Sequence, residues 1–291
     1  MEQDLRDRTA LVTGGNSGVG LELTKTLLAR GAEVAALVRS DFPADEVETT
    51  RARSEGRLRV YRADFADFAS LKKGLAAVKE GEQKLDLLFN NAGAALPDLR
   101  HSVRGHEAHF ELNTLIPFIV LEELGPLLAT GKLKTVVQTS SITLRFLREF
   151  SLELLENPVK FVRYFGPYGA SKLALTLWTR EAAPAWAARG IVLLSACPGA
   201  TRTKMTSSPK RGLAKFLFPL MSHTAAEGAR RILEAALSAE KHPAGSFLSG
   251  AKGKVVQPGF LVEAPRVLAR VRELYEEEYL KSASVPQNVE N

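Results

Sequence analysis

The sequence predicts an α/β fold in which a single doubly wound parallel sheet carries helices on both of its faces. Short and almost wholly apolar runs alternate with longer helical patterns along the chain. Such runs are typical of strands that helices cover on both sides. A glycine-rich turn follows the first run and leads into a helix. The chain of 291 residues is long enough for one large domain of this kind.

The predicted elements alternate from about Asp7 to about Gln257. Strands are expected at Thr9–Thr13, Glu33–Val38, Leu58–Arg62, Leu85–Asn90, Thr135–Ser140 and Ile191–Ala196, with a short last strand near Gly253–Val256. The main helical patterns are Val19–Arg30, Ser70–Lys79, His106–Leu128 and Tyr168–Ala188. We expect residues 1–257 to form one Rossmann domain for dinucleotide binding and catalysis. Residues 258–291 are expected to add a charged helix, near Arg266–Lys281, and a polar tail.

The composition favours a cytoplasmic location. The single cysteine, Cys197, excludes an internal disulfide, so nothing calls for an oxidising compartment. The charged segment Met1–Thr9 runs directly into an apolar strand, unlike a signal peptide. The longest uninterrupted apolar stretches, such as Leu115–Leu121, are far shorter than the roughly 18 to 20 residues that span a bilayer.

The net charge is modest and unevenly distributed. Lys and Arg number 39 and Asp and Glu number 33, an excess of 6 that is typical of a solvated surface. No acidic residue lies between Glu181 and Glu227. No aromatic–basic array indicates nucleic-acid binding, so we expect no nucleic-acid partner. The basic residues of the acid-free segment are Arg189, Arg202, Lys204, Lys210, Arg211 and Lys215.

The glycine-rich turn after the first strand is the candidate dinucleotide site. Glycines let backbone N–H groups approach a pyrophosphate, and the N-terminus of the following helix supplies positive potential. Glycine also serves any tight strand-to-helix turn, so the position of this turn in a βαβ unit carries the prediction. The residues expected to contact the cofactor here are Gly14, Asn16, Ser17, Gly18 and Val19.

Arg39, at the end of the second strand, favours NADP(H) over NAD(H). An acidic residue at this edge binds the ribose 2′-OH, whereas an arginine accommodates a 2′-phosphate. Two alternatives stay open: Arg39 merely flanks the strand end, or Asp41 binds the ribose if the turn bends differently.

Five motifs that follow one another in chain order together resemble the short-chain dehydrogenase/reductase family over residues 7–257. Two further stretches, His106–Phe118 and Gly245–Pro258, resemble the retinol-dehydrogenase-like branch and its bacterial relatives. The motifs are the Thr-Gly-x-x-x-Gly-x-Gly turn at Thr13–Gly20, the Asn-Asn-Ala-Gly turn at Asn90–Gly93, the serine pair Ser140–Ser141, the Tyr-x-x-x-Lys pair of Tyr168 and Lys172, and Pro198–Gly199.

The resemblance implies further cofactor contacts. It places the adenine at Asp64 and Phe65, and the nicotinamide amide at Thr201 and Thr203. Lys172 is implied to hold the nicotinamide ribose hydroxyls in addition to its part in catalysis. The remaining residues implied to contact the nucleotide are Asn91, Ala92, Gly93, Tyr168, Pro198 and Gly199.

Tyr168 and Lys172 are the candidate proton-transfer pair. They are four residues apart, so on a helix they share one face. A free phenol has a pKa near about 10, and a neighbouring ammonium together with an oxidised nicotinamide is expected to lower that pKa. The phenol can then donate a proton to a nascent alkoxide or remove one from an alcohol. An exposed helical Tyr–Lys pair without function is the alternative.

Ser141 and Asn113 complete the candidate catalytic set. The fifth strand ends at Ser140 and Ser141, at the edge where an open parallel sheet builds its site. Alignment to the family pattern assigns the hydrogen bond to the substrate oxygen to Ser141, with Ser140 as the alternative. By the same resemblance, Asn113 holds a water that links Lys172 to solvent; an asparagine in an apolar helix is unfavourable without such a role.

Two features depart from the family pattern. Ile116 and Pro117 replace the usual Gly-His, and Pro117 removes a helix hydrogen bond, which puts in doubt a subunit contact through this helix and leaves a homo-oligomer open. Ser141 and Tyr168 are also 27 residues apart, more than in minimal members. The inserted stretch Phe146–Phe165 is expected either to wall an apolar substrate pocket or to fold onto a small core of its own.

The segment Ser208–His223 carries apolar residues at helical spacing with Arg211 and Lys215 off that stripe. The resemblance implies a lid over cofactor and substrate here. Its basic face can attract acidic substrates or an anionic membrane surface, which would give a peripheral membrane contact; a solvated amphipathic helix is the alternative. No metal site is predicted, since His101, His106 and His109 lack a convincing ligand set.

Together these features predict an NADP(H)-dependent carbonyl reductase or alcohol dehydrogenase that acts on a largely apolar small molecule, with Tyr168 as the acid/base. A non-catalytic NADP-binding sensor or scaffold on the same fold is the alternative from another class. An epimerase or dehydratase that keeps the cofactor is the third.

Overall fold

The computed structural model describes residues 3–200 and 223–283. Within these ranges, eight strands form one sheet in the order β3-β2-β1-β4-β5-β6-β7-β8. Every neighbouring pair is parallel except β7 and β8. The predicted doubly wound α/β fold is confirmed. The strands are β1 Thr9–Thr13, β2 Glu33–Val38, β3 Leu58–Arg62, β4 Leu87–Asn90, β5 Thr135–Thr139, β6 Val192–Ala196, β7 Phe247–Ser249 and β8 Lys254–Val256.

Helices fill both faces of the sheet. The fourth helix contains a π turn at Glu111–Leu115, and a second π turn at Tyr275–Leu280 continues the last helix. The helices are α1 Gly18–Ala29, α2 Val47–Ser54, α3 Phe68–Gly81, α4 Ala108–Ala129, α5 Leu152–Glu156, α6 Pro167–Ala187, α7 Ala225–Leu237 and α8 Ala264–Leu274.

Alternate residues of the central strands supply two separate cores. Leu11, Leu88 and Val136 face α3, α4, α6 and α8, while the adjacent Val12 and Phe89 face α1 and α7. This alternation follows from the two-residue period of a strand. It also explains why the strands are apolar along their whole length.

The sequence analysis did not predict strand β7 or helices α2, α5 and α7. Strand β7 has only three residues, between two glycines that have positive φ angles, Gly245 and Gly250, so its pattern is too short to recognise. Helix α2 buries only Thr49 and Ala52 and therefore has no apolar stripe. Helix α7 does begin with a recognisable signal, a capping box in which the side chains of Thr224 and Glu227 bond each other's backbone N–H.

Helix α4 is long and apolar enough to cross a membrane by length and composition, with a mean hydropathy of 1.4 over its best window. However, 67% of that window is buried inside the protein. Within the described ranges it is the only helix with these properties, and it serves as a core helix. Pro117 does not end it, because α4 continues to Ala129 after the π turn.

Residues 258–283, the described part of the carboxyl-terminal extension, pack on the rest of the protein. Val267, Val271 and Leu274 are buried in the same core as the strands. The guanidinium groups of α8 reach α5, since Arg266 and Arg270 pair with its two glutamates at 2.6 and 2.8 Å. The predicted boundary at residue 257 stays a prediction, and the polar tail lies outside the described residues.

We expect Leu274→Ala to lower the free energy of unfolding by about 2–5 kcal/mol, the usual cost of an incompletely filled cavity, because Leu274 is only 3% exposed. Leu280→Ala, at a side chain that is 43% exposed, is the control and should change it by less than about 0.5 kcal/mol. Urea denaturation measures both. Equal small effects would show that α8 is not part of the cooperative core.

Candidate active site

The amino-terminal half of α6 brings Lys172 beneath the end of β5. Lys172 is 4% exposed, and its Nζ donates a hydrogen bond of 2.7 Å to the carbonyl oxygen of Thr139. Burial disfavours the charged ammonium and lowers the pKa of Lys172 to about 8. A lysine in this state can lose and regain a proton close to neutral pH.

Tyr168 lies one helical turn before Lys172, and its phenol hydrogen-bonds the side chain of Ser141. Burial raises the pKa of Tyr168 to about 12, and the bond to Ser141 opposes that rise. The sequence analysis expected a lowered phenol pKa. For the protein chain alone the direction is the opposite, because desolvation of the phenolate outweighs the other effects. The phenol is therefore protonated at neutral pH.

The two serines at the end of β5 have different partners. Ser140 is buried, and its hydroxyl lies 2.7 Å from Oγ1 of Thr176 inside the protein. Ser141 begins a short 3₁₀ helix, Ile142–Phe146, and its Oγ accepts a bond of 2.9 Å from Oγ1 of Thr143. Only Ser141 meets Tyr168, as the sequence analysis preferred.

Asn113 lies fully buried in the π turn of α4, a local distortion common at functional sites. Its Oδ1 accepts from the backbone N–H of Ala94, and its Nδ2 donates to the carbonyl oxygen of Ala94 and to Oγ of Ser171. A Cβ added to Gly93 would lie 2.7 Å from Asn113 Oδ1 and 3.2 Å from Lys172 Nζ. Both side chains therefore border Gly93, where only a glycine fits.

The glycine-rich turn leaves the start of α1 open to an anion. Ser17 is the N-cap residue, but its side chain makes no capping bond, so the first N–H groups of the helix point to the turn. Gly18 and Val19 open this helix. Gly14 adopts a positive φ of 64°. Asn16 ties the turn to the end of β2, because its Nδ2 donates 2.8 Å to the carbonyl oxygen of Ser40.

Thr13 joins this turn to the one after β4, a role that the sequence analysis missed. Its Oγ1 accepts from the backbone N–H groups of Asn91 and Ala92, both at 3.0 Å. Its carbonyl oxygen accepts 3.1 Å from Nδ2 of Asn91. The signal was present, since Thr13 is the first residue of the glycine motif.

The end of β2 is rich in arginine. Arg39 is exposed there. The carboxylate of Asp41 is bound by Arg62 and, at 3.5 Å, by Arg53. These guanidinium groups, Arg62 first, lower the pKa of Asp41. The carboxylate of Asp41, the alternative group for binding the ribose, is therefore already paired with two guanidinium groups.

Four of the other predicted cofactor residues follow strands of the sheet, and two lie outside the described residues. Asp64 follows β3 and accepts a hydrogen bond from the backbone N–H of Ala66, while Phe65 packs against the core. Pro198 and Gly199 follow β6, and Gly199 has a φ of 89°. Thr201 and Thr203, with most of the predicted lid, lie outside the described residues.

A sequence model of the short chain dehydrogenase family matches residues 8–149 and 157–213. The chain belongs to this family.

Individual relatives of this dehydrogenase fit the same placement. It is 28% identical to human retinol dehydrogenase 12 over 260 residues, which cover 87% of this chain and 81% of the relative. It is 30% identical to mouse retinol dehydrogenase 11 over 240 residues, 80% of this chain and 74% of the relative. The predicted retinol-dehydrogenase-like branch is confirmed. The solved structure of an NADPH-bound carbonyl reductase from chicken fatty liver is 26% identical, covers 87% of this chain and 95% of its own, and gives a TM-score of 0.66.

The family match leaves out residues 150–156, which lie in the inserted stretch of this dehydrogenase. The stretch does not form a core of its own: Phe150 and Leu155 are buried in the main core. Beyond these anchors it exposes apolar side chains between Ser141 and Tyr168. The most exposed are Phe146 at 61%, Val159 at 76%, Val162 at 53% and Phe165 at 50%.

The depressed pKa of Lys172 predicts a pH-dependent stability. Between its folded value of about 8 and its ordinary value of 10.5, the unfolded chain binds a proton that the folded chain has lost. Stability that arises from this group therefore rises with pH in this window. We expect the free energy of unfolding of wild type, relative to Lys172→Met, to increase from pH about 8 to about 10.5.

Urea denaturation of the protein without added cofactor, across that pH range, measures this difference. Leu173→Met, at the neighbouring buried position, removes no titratable group and is the control, since its difference from wild type should stay constant. A constant difference for Lys172→Met as well would contradict a buried lysine of low pKa.

Proposed function

We propose that this dehydrogenase is an NADP(H)-dependent carbonyl reductase or alcohol dehydrogenase, in which Tyr168 exchanges a proton with the oxygen of an apolar substrate. One observation carries the proposal: the phenol of Tyr168 bonds Ser141 at the carboxyl end of β5, with the buried Lys172 one turn further along α6. NADPH, when bound, supplies the hydride. The residues of the chain supply the proton and hold the substrate oxygen.

The protonated phenol of Tyr168 suits the proton donor that carbonyl reduction requires. With a pKa of about 12, the phenol carries its proton at neutral pH and is therefore in the donor form. It can release its proton to an oxygen on which negative charge grows. The Ser141 hydroxyl, next to it, can donate a hydrogen bond to that same oxygen. The cellular NADP pool is kept reduced as a general rule, which supports the same direction.

Lys172 and Asn113 are suited to return the proton to Tyr168. A lysine with a pKa of about 8 exchanges protons readily at neutral pH. Pro117 has no N–H and cannot donate to the carbonyl oxygen four residues earlier, that of Asn113. This oxygen therefore lacks its α-helical donor, and in this proposal it accepts a hydrogen bond from a water molecule. We propose this path as the link between Lys172 and solvent.

The cofactor choice rests on the basic end of β2. Arg39 is exposed and Asp41 is engaged by Arg53 and Arg62, so the strand end where we propose the ribose binds is rich in cationic groups. A 2′-phosphate is stabilised by such an arrangement, whereas a 2′-OH needs an acceptor. The NADPH bound to the chicken carbonyl reductase supports the same choice. The uncapped N-terminus of α1 fits the pyrophosphate.

The inserted stretch indicates an apolar substrate. Exposed apolar side chains lie along this stretch, and its Tyr164 ring is 6.1 Å from the ring of Tyr168. We propose that these side chains remove a hydrocarbon chain or ring of the substrate from water. The names of the relatives, retinol dehydrogenase and carbonyl reductase, fit an alcohol or carbonyl substrate. Cytoplasmic localisation, a homo-oligomer and a membrane contact through the basic segment remain proposals.

Tyr168→Phe is expected to lower kcat by about 10²- to 10⁴-fold, the usual contribution of a positioned acid, while NADPH still binds. NADPH consumption with a panel of apolar ketones, aldehydes and quinones measures kcat, and NADPH fluorescence measures binding. Tyr275→Phe, which removes a hydroxyl bonded to Glu123 far from the site, is the control and should keep its activity. Full turnover by Tyr168→Phe would refute the proton transfer. If wild type binds NADPH but turns over none of these substrates, a sensor, epimerase or dehydratase is favoured.

Arg39→Asp tests the 2′-phosphate contact. Loss of a charge-assisted hydrogen bond is worth about 1.5–3 kcal/mol, so the KM for NADPH should rise by about 10- to 100-fold. The KM for NADH should change much less. Arg272→Asp, an exposed arginine of α8, controls for the change in net charge. An equal rise for both cofactors would withdraw the role of Arg39.

A further inference from the structure

Glu107 and His109 form a fully buried pair at the start of α4. Both side chains are 0% exposed, and His109 Nδ1 lies 2.7 Å from Glu107 Oε1. Taking two such groups out of water is costly, and an apolar pair is often at least as stable. A helix N-cap needs only a serine or an aspartate. The pair therefore calls for an explanation beyond the stability of the fold.

The hydrogen bonds around the pair assign every proton. The backbone N–H of Leu96 donates 3.0 Å to Nε2 of His109, so Nε2 carries no proton. In a neutral imidazole the proton must then be on Nδ1, which donates it to Glu107 Oε1. The other carboxylate oxygen, Oε2, accepts 2.8 Å from the backbone N–H of Phe110. Glu107 acts as an acceptor at both oxygens, as an ionised carboxylate does.

The pair also contacts the candidate catalytic tyrosine. The ring centroids of His109 and Tyr168 are 6.4 Å apart, with the planes 75° apart in an edge contact. The imidazole also lies 6.4 Å from the ring of Phe161 in the inserted stretch. His109 is thus close to both the inserted stretch and the phenol.

The same helix holds the loop after Gly93 at two points. Asn113 bonds both backbone groups of Ala94, and His109 bonds the N–H of Leu96. This loop starts beside Lys172 Nζ. Any shift of Leu96 or of the imidazole would move the surroundings of both Tyr168 and Lys172.

We propose that Glu107 and His109 are positioning residues of the Tyr168 site. The carboxylate fixes the tautomer of the imidazole, and the imidazole fixes the loop at Leu96 and one edge of the Tyr168 ring. Neither residue exchanges a proton with the substrate in this scheme. The inference rests on the proposed function of Tyr168 and adds two residues to the site.

Glu107→Gln is the isosteric test, because an amide cannot make both bonds of the carboxylate. If its NH₂ faces Phe110, two donors meet there. If its NH₂ faces His109, the imidazole must accept at Nδ1 and carry its proton on Nε2, where it meets the N–H of Leu96. One of the bonds is lost in either case, with no change in side-chain volume.

His109→Gln and His109→Leu form a matched second pair. The Oε1 of glutamine can reach the position of Nε2 and accept the Leu96 N–H, whereas leucine cannot accept a hydrogen bond. The glutamine variant should therefore retain more activity than the leucine variant. This pair also keeps the test decisive if Glu107→Gln does not fold.

The readouts are kcat, NADPH affinity by fluorescence, and hydrogen–deuterium exchange of the peptide that contains residues 94–99. We expect Glu107→Gln and His109→Leu to lower kcat by at least about tenfold, since small misplacements at a reacting centre have effects of this size. NADPH affinity should stay within about twofold. Exchange at the loop should rise, while peptides from β4 and β5 keep the exchange of wild type.

Two outcomes would overturn the inference. In the first, the Glu107 and His109 variants keep the kcat and the loop exchange of wild type. In the second, exchange rises uniformly along the chain and NADPH binding is lost, which would indicate that the pair is purely structural. Failure of the proposed function looks different. If wild type reduces no carbonyl but loop exchange responds as expected, the loop anchor stands and the catalytic role of the site falls.

Discussion

The buried contact between Lys172 and the carbonyl oxygen of Thr139 is the constraint on which the site depends. It joins the second turn of the long helix α6 to the end of a central strand, and so fixes where the first turn of α6 can lie. Tyr168 belongs to that turn, and Ser141 follows the strand by two residues. If Lys172 were exposed to solvent, this contact would no longer hold Tyr168 close to Ser141. Burial of an amine is unfavourable, and the lowered pKa of Lys172 is its consequence.

Much of the fold follows from local patterns. The bounds of β1, β2 and β3 agree with the sequence prediction; β1 and β2 are largely apolar runs, and β3 mixes apolar residues with arginine. The pairing of Ser141 with Tyr168 was also predictable, since motif order and sheet topology bring both to one edge. The raised pKa of Tyr168 was not. Spacing shows that a lysine is near, whereas the desolvation that decides the direction depends on distant segments that cover the phenol.

The residues that support the site were harder to foresee because their contacts join distant parts of the chain. In the sequence Glu107 and His109 look like ordinary polar residues at the start of a helix, and only the packing shows that both are buried. Likewise, the pairs between α8 and α5, Arg270–Glu156 among them, span more than a hundred positions. They fasten the inserted stretch to the carboxyl-terminal helix. The position of the inserted stretch therefore depends on α8, which the sequence alone presents as an added carboxyl-terminal helix.

The protonation of Lys172 can be observed directly. In protein labelled with ¹³C at the lysine ε-carbons, NMR spectra recorded across a pH titration follow each amine separately. We expect one lysine signal that titrates with a midpoint of about 8 and is absent from the spectrum of Lys172→Met. If no lysine signal that is lost in Lys172→Met titrates near this pH, the ammonium is not buried against β5, and the assembly of Tyr168 and Ser141 around it would be contradicted.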